Sequence, residues 1–314
     1  MIVFVVRRLL QSAIVLVIIS IITFSFIHII PGDAALVILG GEATQEELEN
    51  LRHELGLDQP VWVQYGRWCS NAIQGNLGKS ICHRDSVINV IAKRLPVTVY
   101  LGLLALILSI LAGIPAGIIS AVRRGKIIDS IITVIANIGM AVPIFWLGIL
   151  GIYLFSYKLG WLPVMGYTSP FENFWLSIKQ AIMPVICLTV VPLATITRQT
   201  RSSMLEVIHQ DYIRTARSKG LMEKAVIVKH ALKNAIIPVV TLLGLQARYL
   251  VGGSILVETI FNIPGMGRLM VSSVFDRDIP VVQGCIIIIA IAIILANLII
   301  DLSYGYLDPR IRDD

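Results

Sequence analysis

Long uncharged apolar runs separated by polar loops set the pattern of this chain. Six of them approach the ~20 residues that an α-helix needs to cross a bilayer core: Leu9–Ile30, Val97–Val122, Ser130–Tyr157, Ala181–Thr197, Ala235–Val257 and Val281–Ile300. Arg248 is the one lysine, arginine or carboxylate inside them. The fourth run is the shortest and carries Pro184 and Pro192, which a membrane helix tolerates where neighbours satisfy the freed carbonyls. The pattern therefore predicts an all-α membrane protein with six transmembrane helices. The segments it delimits are 1–8, 9–30, 31–96, 97–122, 130–157, 181–197, 198–234, 235–257, 258–280, 281–302 and 303–314, with 97–302 as the core.

Within the long segment 31–96, an acidic stretch from Glu42 to Asp58 places Leu48, Leu51 and Leu55 on one face of an amphipathic helix. Trp62, Tyr65 and Trp68 follow at three-residue spacing, the expected form of a helix anchored at a membrane interface.

The loop 198–234 carries a different pattern. Ser203-Met204-Leu205-Glu206 fits a helix-starting capping box, and a helix running straight out of the fourth span would account for it equally. Leu205, Ile208 and Tyr212 then share one face that continues to Ala216. Gly220 stands where a helix would stop in a left-handed cap. Helical character resumes through Ala225, Val228 and Leu232 until Pro238. Two short helices at an angle around a glycine are expected, with a cationic surface from Arg214, Arg217, Lys219, Lys224, Lys229 and Lys233. Attraction to anionic lipid would explain the charge, but it needs no glycine at a fixed place.

Composition agrees with lipid as the solvent: 56% of the 314 residues are apolar, 15% are charged, and the mean hydropathy is +0.81. Lysine and arginine set the orientation. Fifteen lie in 1–8, 123–130, 198–234 and 303–314, against ten in the longer segments 31–96, 158–180 and 258–280. Both termini are therefore expected in the cytoplasm. The net charge of +6 mostly reflects this asymmetry, which argues against nucleic acid as a partner. Arg7 and Arg8 precede the first run as they would in a secretory signal, but its 22 uncharged residues exceed a signal core and Ile30-Pro31-Gly32-Asp33 offers no cleavage site. An uncleaved first helix is expected.

At the 198–234 loop the chain resembles the permease subunits of binding-protein-dependent, ATP-driven (ABC) importers. Their motif of Glu-Ala-Ala, three residues and glycine aligns with Arg214 to Gly220, keeping Ala216 and Gly220. The dipeptide, oligopeptide, glutathione and nickel branch is resembled more closely, in Asp211-Tyr212-Ile213-Arg214-Thr215-Ala216-Arg217-Ser218-Lys219-Gly220-Leu221 and in His230-Ala231-Leu232-Lys233-Asn234-Ala235. Further matches are Arg7-Arg8-Leu9, Pro31-Gly32-Asp33, Leu55-Gly56-Leu57-Asp58-Gln59-Pro60, Glu258-Thr259-Ile260-Phe261 with Pro264-Gly265-Met266-Gly267, Arg277 to Gln283, and Asp308-Pro309-Arg310-Ile311-Arg312.

The resemblance implies the type I importer permease fold in a bacterial inner membrane. It implies as partners a homologous second permease in a heterodimer, two ATPase subunits and an extracytoplasmic solute-binding protein. ATP and Mg would then be used by the ATPases, with no cofactor on this chain. The loop helix Asp211 to Leu221 would rest in a groove of the ATPase, and the cargo would be peptide, with nickel or glutathione as alternatives.

Other chemistry finds little support. Gly78-Lys79-Ser80 has the end of a phosphate loop, but Ile73 replaces its first glycine. Gly265-Met266-Gly267 lacks a third glycine at dinucleotide spacing and reads as a tight turn. Cys69, Cys82, His83 and His53 match no zinc spacing. A Cys69–Cys82 disulfide is left open, and Cys187 and Cys285 read as apolar fillers. His28, Asp129 and Asp301 do not assemble a protease.

Arg248 with Gln246, Asn297 and Asn137 is a candidate polar path for solute, equally readable as snorkelling or helix pairing. Gly113-Ile114-Pro115-Ala116-Gly117 suits close helix packing. A self-contained secondary transporter would need midplane carboxylates and an internal repeat, and neither is clear here.

Overall fold

Helices in this chain run past their uncharged cores, because polar flanks such as Lys93 and Arg94 continue the backbone hydrogen bonding. A computed structural model describes residues 2–29, 44–55 and 58–307. In chain order its helices are α1 (Ile2–Ile29), α2 (Gln45–Leu55), α3 (Val61–Ile73), α4 (Val87–Val122), α5 (Ile127–Ala141), α6 (Ile144–Gly151), α7 (Phe174–Ile208), α8 (Asp211–Ser218), α9 (Leu232–Ile260), α10 (Met266–Phe275) and α11 (Ile279–Leu307). A π-helical segment, Ile152–Lys158, extends α6, and Glu223–Ala225 with π-helical Val226–Ala231 leads into α9. At 36 residues α4 is about 54 Å long, well beyond a ~30 Å hydrocarbon core. It starts at Val87, ten residues before the apolar run expected to cross.

Among the described residues five helical stretches are long and apolar enough to cross a membrane, and six if one bent pair counts as a single span. That pair is α5 with α6 and its π-helical extension, bent by 100°. The expected continuous third span, Ser130–Tyr157, is thus interrupted. The cause is local: Pro143 has no amide hydrogen, and the residue before a proline is pushed to extended backbone. Val142 accordingly takes φ −77 and ψ 124, and Pro143 φ −63 and ψ 134.

The chain divides into two compact units, Met1–Pro96 with Arg268–Leu298, and Val97–Gly267 with Ile299–Asp314. In the first, α2 opens with a reciprocal cap: the Thr44 hydroxyl accepts from the Glu47 amide at 3.3 Å, while Glu47 accepts from the Thr44 amide at 2.9 Å. Leu48 is buried as the amphipathic pattern requires. The aromatic residues of α3 do not act alike. Tyr65 and Trp68 pack on Phe24 of α1 with ring centroids 5.4 and 5.9 Å away, and the Tyr65 and Ser20 hydroxyls are hydrogen-bonded at 2.7 Å. Trp62 is 76% exposed, and interfacial anchoring fits it alone of the three.

The Gly78-Lys79-Ser80 stretch is irregular chain that leads into a turn at Ile81–His83, not a phosphate cradle. The Ser80 hydroxyl donates to Asp278 Oδ2 at 2.5 Å, the Cys82 amide donates to the same oxygen at 3.1 Å, and Lys79 pairs with Ser86 in an isolated antiparallel bridge. Cys69 and Cys82 are separate thiols. Partial burial and then the charges of Asp278 and Asp276 push the Cys82 thiol above its ordinary value. Since the thiolate is the reactive form, iodoacetamide at pH 7.5 should label Cys82 several-fold more slowly than an unstructured cysteine peptide. The gap should narrow as pH rises past 9. Equal rates at pH 7.5 would refute the shift.

In the second unit α7 forms the centre. Met183, Val185, Cys187 and Leu188 meet Val97, Leu101 and Ala105 of α4 and Val257 of α9. Pro184 and Pro192 lie inside α7 and are both buried, so the least regular of the expected spans is part of the most enclosed helix.

Small residues let helices approach. A Cβ on Gly113 would lie 3.1 Å from the Leu193 carbonyl oxygen, and one on Gly117 would lie 2.5 Å from Thr200 Cβ and 2.7 Å from the Thr197 carbonyl oxygen. The expected tight turn at Gly265-Met266-Gly267 is instead a bend at Gly265 followed by the first residues of α10, and contacts within this unit lock it. Thr98 donates to fully buried Glu258 at 2.6 Å and accepts from the Met266 amide at 2.8 Å. The Glu258 carboxylate fills the space where a Gly265 side chain would stand.

Candidate functional site: a short helix and its seat

The basic loop folds around a change of helical phase. α7 runs without interruption through Ser203, which is buried, so the capping-box reading gives way to the continuous helix. The helix ends at Ile208 and Gln210 is extended, with φ −70 and ψ 149. α8 then starts afresh with Asp211 in its first turn, where a carboxylate favours the positive helix end.

This restart keeps Ala216 on the buried face, as expected from the sequence, but puts Ile213 there in place of Tyr212. Ile213 and Ala216, at i and i+3, are the buried pair, while Tyr212 is 42% exposed. Their seat comprises Ala121 from α4, Met204 from α7, Val226 and Ala231 from the π-helical turn, and Ala235 from α9. Outside this seat, the Tyr212 hydroxyl accepts from Asn234 Nδ2 at 2.7 Å, tying α8 to the start of α9.

The end of α8 is fixed by Gly220, whose φ of +76 is the left-handed conformation that closes a helix. The Gly220 amide donates to the Arg217 carbonyl at 2.9 Å. Beyond the turn, Arg217 makes a two-point bridge to Glu223, Nη2 to Oε1 at 2.7 Å and Nε to Oε2 at 3.1 Å. Arg214, Lys219, Lys224, Lys229 and Lys233 remain exposed. With them stand Leu221 at 43% and Met222 at 78% exposure. Thr215 and Ser218 bond to carbonyls four residues back, at Asp211 and Arg214, and add no outward chemistry. The short helix and the segment after it thus present cations around an apolar tip at Leu221 and Met222, a combination suited to a complementary protein surface.

A carboxylate that carried no role in the sequence reading reinforces the seat. Asp129, in the first turn of α5, accepts from Arg201 Nε at 2.7 Å and Nη2 at 2.9 Å, from the Ser120 hydroxyl at 2.5 Å and from the Gly125 amide at 3.0 Å. The 72 residues between the two charges left no local signal.

The candidate solute path is less coherent. Asn137 is exposed on α5, Gln246 is buried in α9 and Asn297 is half-buried on α11. The Arg248 side chain lies outside the described residues. The described members thus differ in exposure.

Comparison with known proteins agrees along the full length. A dipeptide transport system permease protein, DppB, of Alkalihalophilus pseudofirmus is 42% identical over 99% of this chain and 100% of its own. A glutathione transport system permease protein, GsiC, of Escherichia coli is 43% identical over 98% of both chains. A probable peptide ABC transporter permease protein of Sinorhizobium fredii is 40% identical over 99% of both. Among solved structures, a chain of the MetNI methionine ABC transporter in an inward-facing conformation superposes with a TM-score of 0.58 at 19% identity, over 70% of this chain and 96% of that one. Its fold is therefore the type I importer permease fold. The N-terminal model of binding-protein-dependent transport system membrane components matches residues 1–102, and the model of binding-protein-dependent transport system inner membrane components matches residues 113–313, so the chain belongs to that family of multi-pass inner-membrane proteins.

Proposed function

We propose that the chain forms half of a solute pathway in an ATP-driven importer, beside a homologous second permease, and that Asp211 to Leu221 is where a separate ATPase docks. The observation that carries this reading is α8 with the turn that follows it: Ile213 and Ala216 hold the helix on a buried seat, Gly220 ends it at φ +76, and Arg214, Leu221 and Met222 face outward. A helix held this way moves as a unit when pushed. The excess of lysine and arginine in 1–8, 123–130, 198–234 and 303–314 supports placing this loop and both termini in the cytoplasm. Two ATPases would use ATP and Mg, and an extracytoplasmic binding protein would deliver the cargo.

Peptide is the cargo this reading favours, because relatives matched end to end are dipeptide and peptide permeases, with a glutathione permease beside them. Selectivity in such systems would reside largely in the delivering protein.

The test is reconstitution into proteoliposomes with the second permease, candidate ATPases and the cognate binding protein. Uptake should require ATP and the binding protein, and the binding protein should take di- or oligopeptides in preference to glutathione or nickel. Solute movement by this chain alone, down a proton gradient without ATP, would overturn the proposal in favour of a secondary transporter.

A further inference from the structure

Beneath the docking helix, contacts on α4 and α7 come in a regular order. Gly117 meets Thr200, Ser120 and Arg201 share the Asp129 carboxylate, and one step further Ala121 and Met204 form part of the seat under Ile213 and Ala216. Asp129 reaches this row from α5. Its side chain is 7% exposed and that of Arg201 30%. Five of the six residues in this row are therefore small or apolar contacts or hydroxyls, and the remaining one, Arg201, is held by two points in a planar fork that fixes direction as well as distance.

We propose that the Asp129–Arg201 pair is a positioning clamp that makes α4, α5 and α7 respond together when α8 is displaced. The inference rests on the docking role assigned to α8. Near α8, what couples α4 and α7 besides the clamp is the pair of close contacts at Gly113 and Gly117 and the apolar seat. Apolar contacts resist separation but permit sliding, whereas a two-point ionic bond supported by Ser120 and the Gly125 amide resists both. The acceptor and donors come from α5, from α4, from the turn at Gly125 (φ +75) and from α7, so a push on the seat meets all three helices at one carboxylate.

The test uses the complete transporter in proteoliposomes and reads solute moved per ATP hydrolysed, together with co-purification of the ATPases. D129N removes the charge but keeps the shape, and R201K keeps the charge but loses the fork. Both variants should retain the ATPases and continue to hydrolyse ATP, with transport per ATP falling at least tenfold for D129N and several-fold for R201K. Unchanged transport per ATP in R201K would overturn the clamp, whatever the yield of D129N. Loss of ATPase binding in R201K would also overturn it, by showing a general structural role. If the unsubstituted chain neither held an ATPase nor needed ATP, the docking assignment would fail instead.

Discussion

G117V should lower the unfolding midpoint of the detergent-solubilised protein and sharply reduce the yield of monodisperse material. A Cβ at Gly117 would meet Thr200 Cβ at 2.5 Å and the Thr197 carbonyl oxygen at 2.7 Å, where ordinary contacts begin near 3.4 Å. The carbonyl belongs to the backbone of α7 and has no rotamer to change. Relief must come from separating α4 and α7, which strains the neighbouring Gly113 contact and the bonds that Ser120 and Arg201 make to Asp129. Overpacking of this kind costs about 1–3 kcal/mol, and valine adds a second branch at the crowded carbon. Gly66 supplies the control. Its Cβ position meets nothing within 4 Å on α3, so G66A should leave the midpoint unchanged or raise it slightly, since alanine favours a helix by ~0.5–1 kcal/mol over glycine. Equal midpoints for G117V and the unsubstituted protein would show that α4 and α7 are not packed through this glycine.

What the sequence revealed and what it concealed divide along the distance over which each signal acts. The apolar runs marked the spanning helices because burial in lipid acts on every residue of a run. The helix, glycine and resumed helix at Asp211 to Leu232 were legible because turn and cap preferences are local. Phase was not. Carrying the face of α7 across the extended Gln210 placed Tyr212 inward, when the restart puts Ile213 there.

Three of the prolines show the same limit from the other side. Pro184 and Pro192 sit within a continuous buried helix, whereas Pro143 begins a new one after a bend of 100°. Each removes the same amide hydrogen, so tertiary surroundings decide which one breaks a span. Asp129 with Arg201, and Thr98 with Glu258, join residues 72 and 160 positions apart. Such pairs leave no periodicity, and a carboxylate near the end of a span looks the same in sequence whether it is solvated or clamped. The solute path stayed obscure because scattered amides carry neither a period nor a spacing.

Replacement of Gly220 by valine should abolish ATP-driven uptake, by tenfold or more, while the amount of protein inserted in the membrane stays within about twofold of the unsubstituted chain. The added side chain has room, since nothing lies within 4 Å of its Cβ position. The cost is therefore conformational. A φ of +76 is open to glycine, but the left-handed region costs other residues about 1–2 kcal/mol and is least accessible to β-branched ones. The chain escapes this strain by rotating at residue 220, which opens the amide bond to the Arg217 carbonyl, swings Leu221 and Met222 away, and separates Arg217 from Glu223. The spanning helices are untouched, so insertion survives while the proposed docking surface loses its shape. Asparagine tolerates the left-handed region far better than valine, and G220N should recover most uptake, with G220A falling between the two. An order in which asparagine is as damaging as valine would point to a need for the missing side chain itself, at the partner's surface, and loss of G220V from the membrane would assign the glycine to folding instead of coupling.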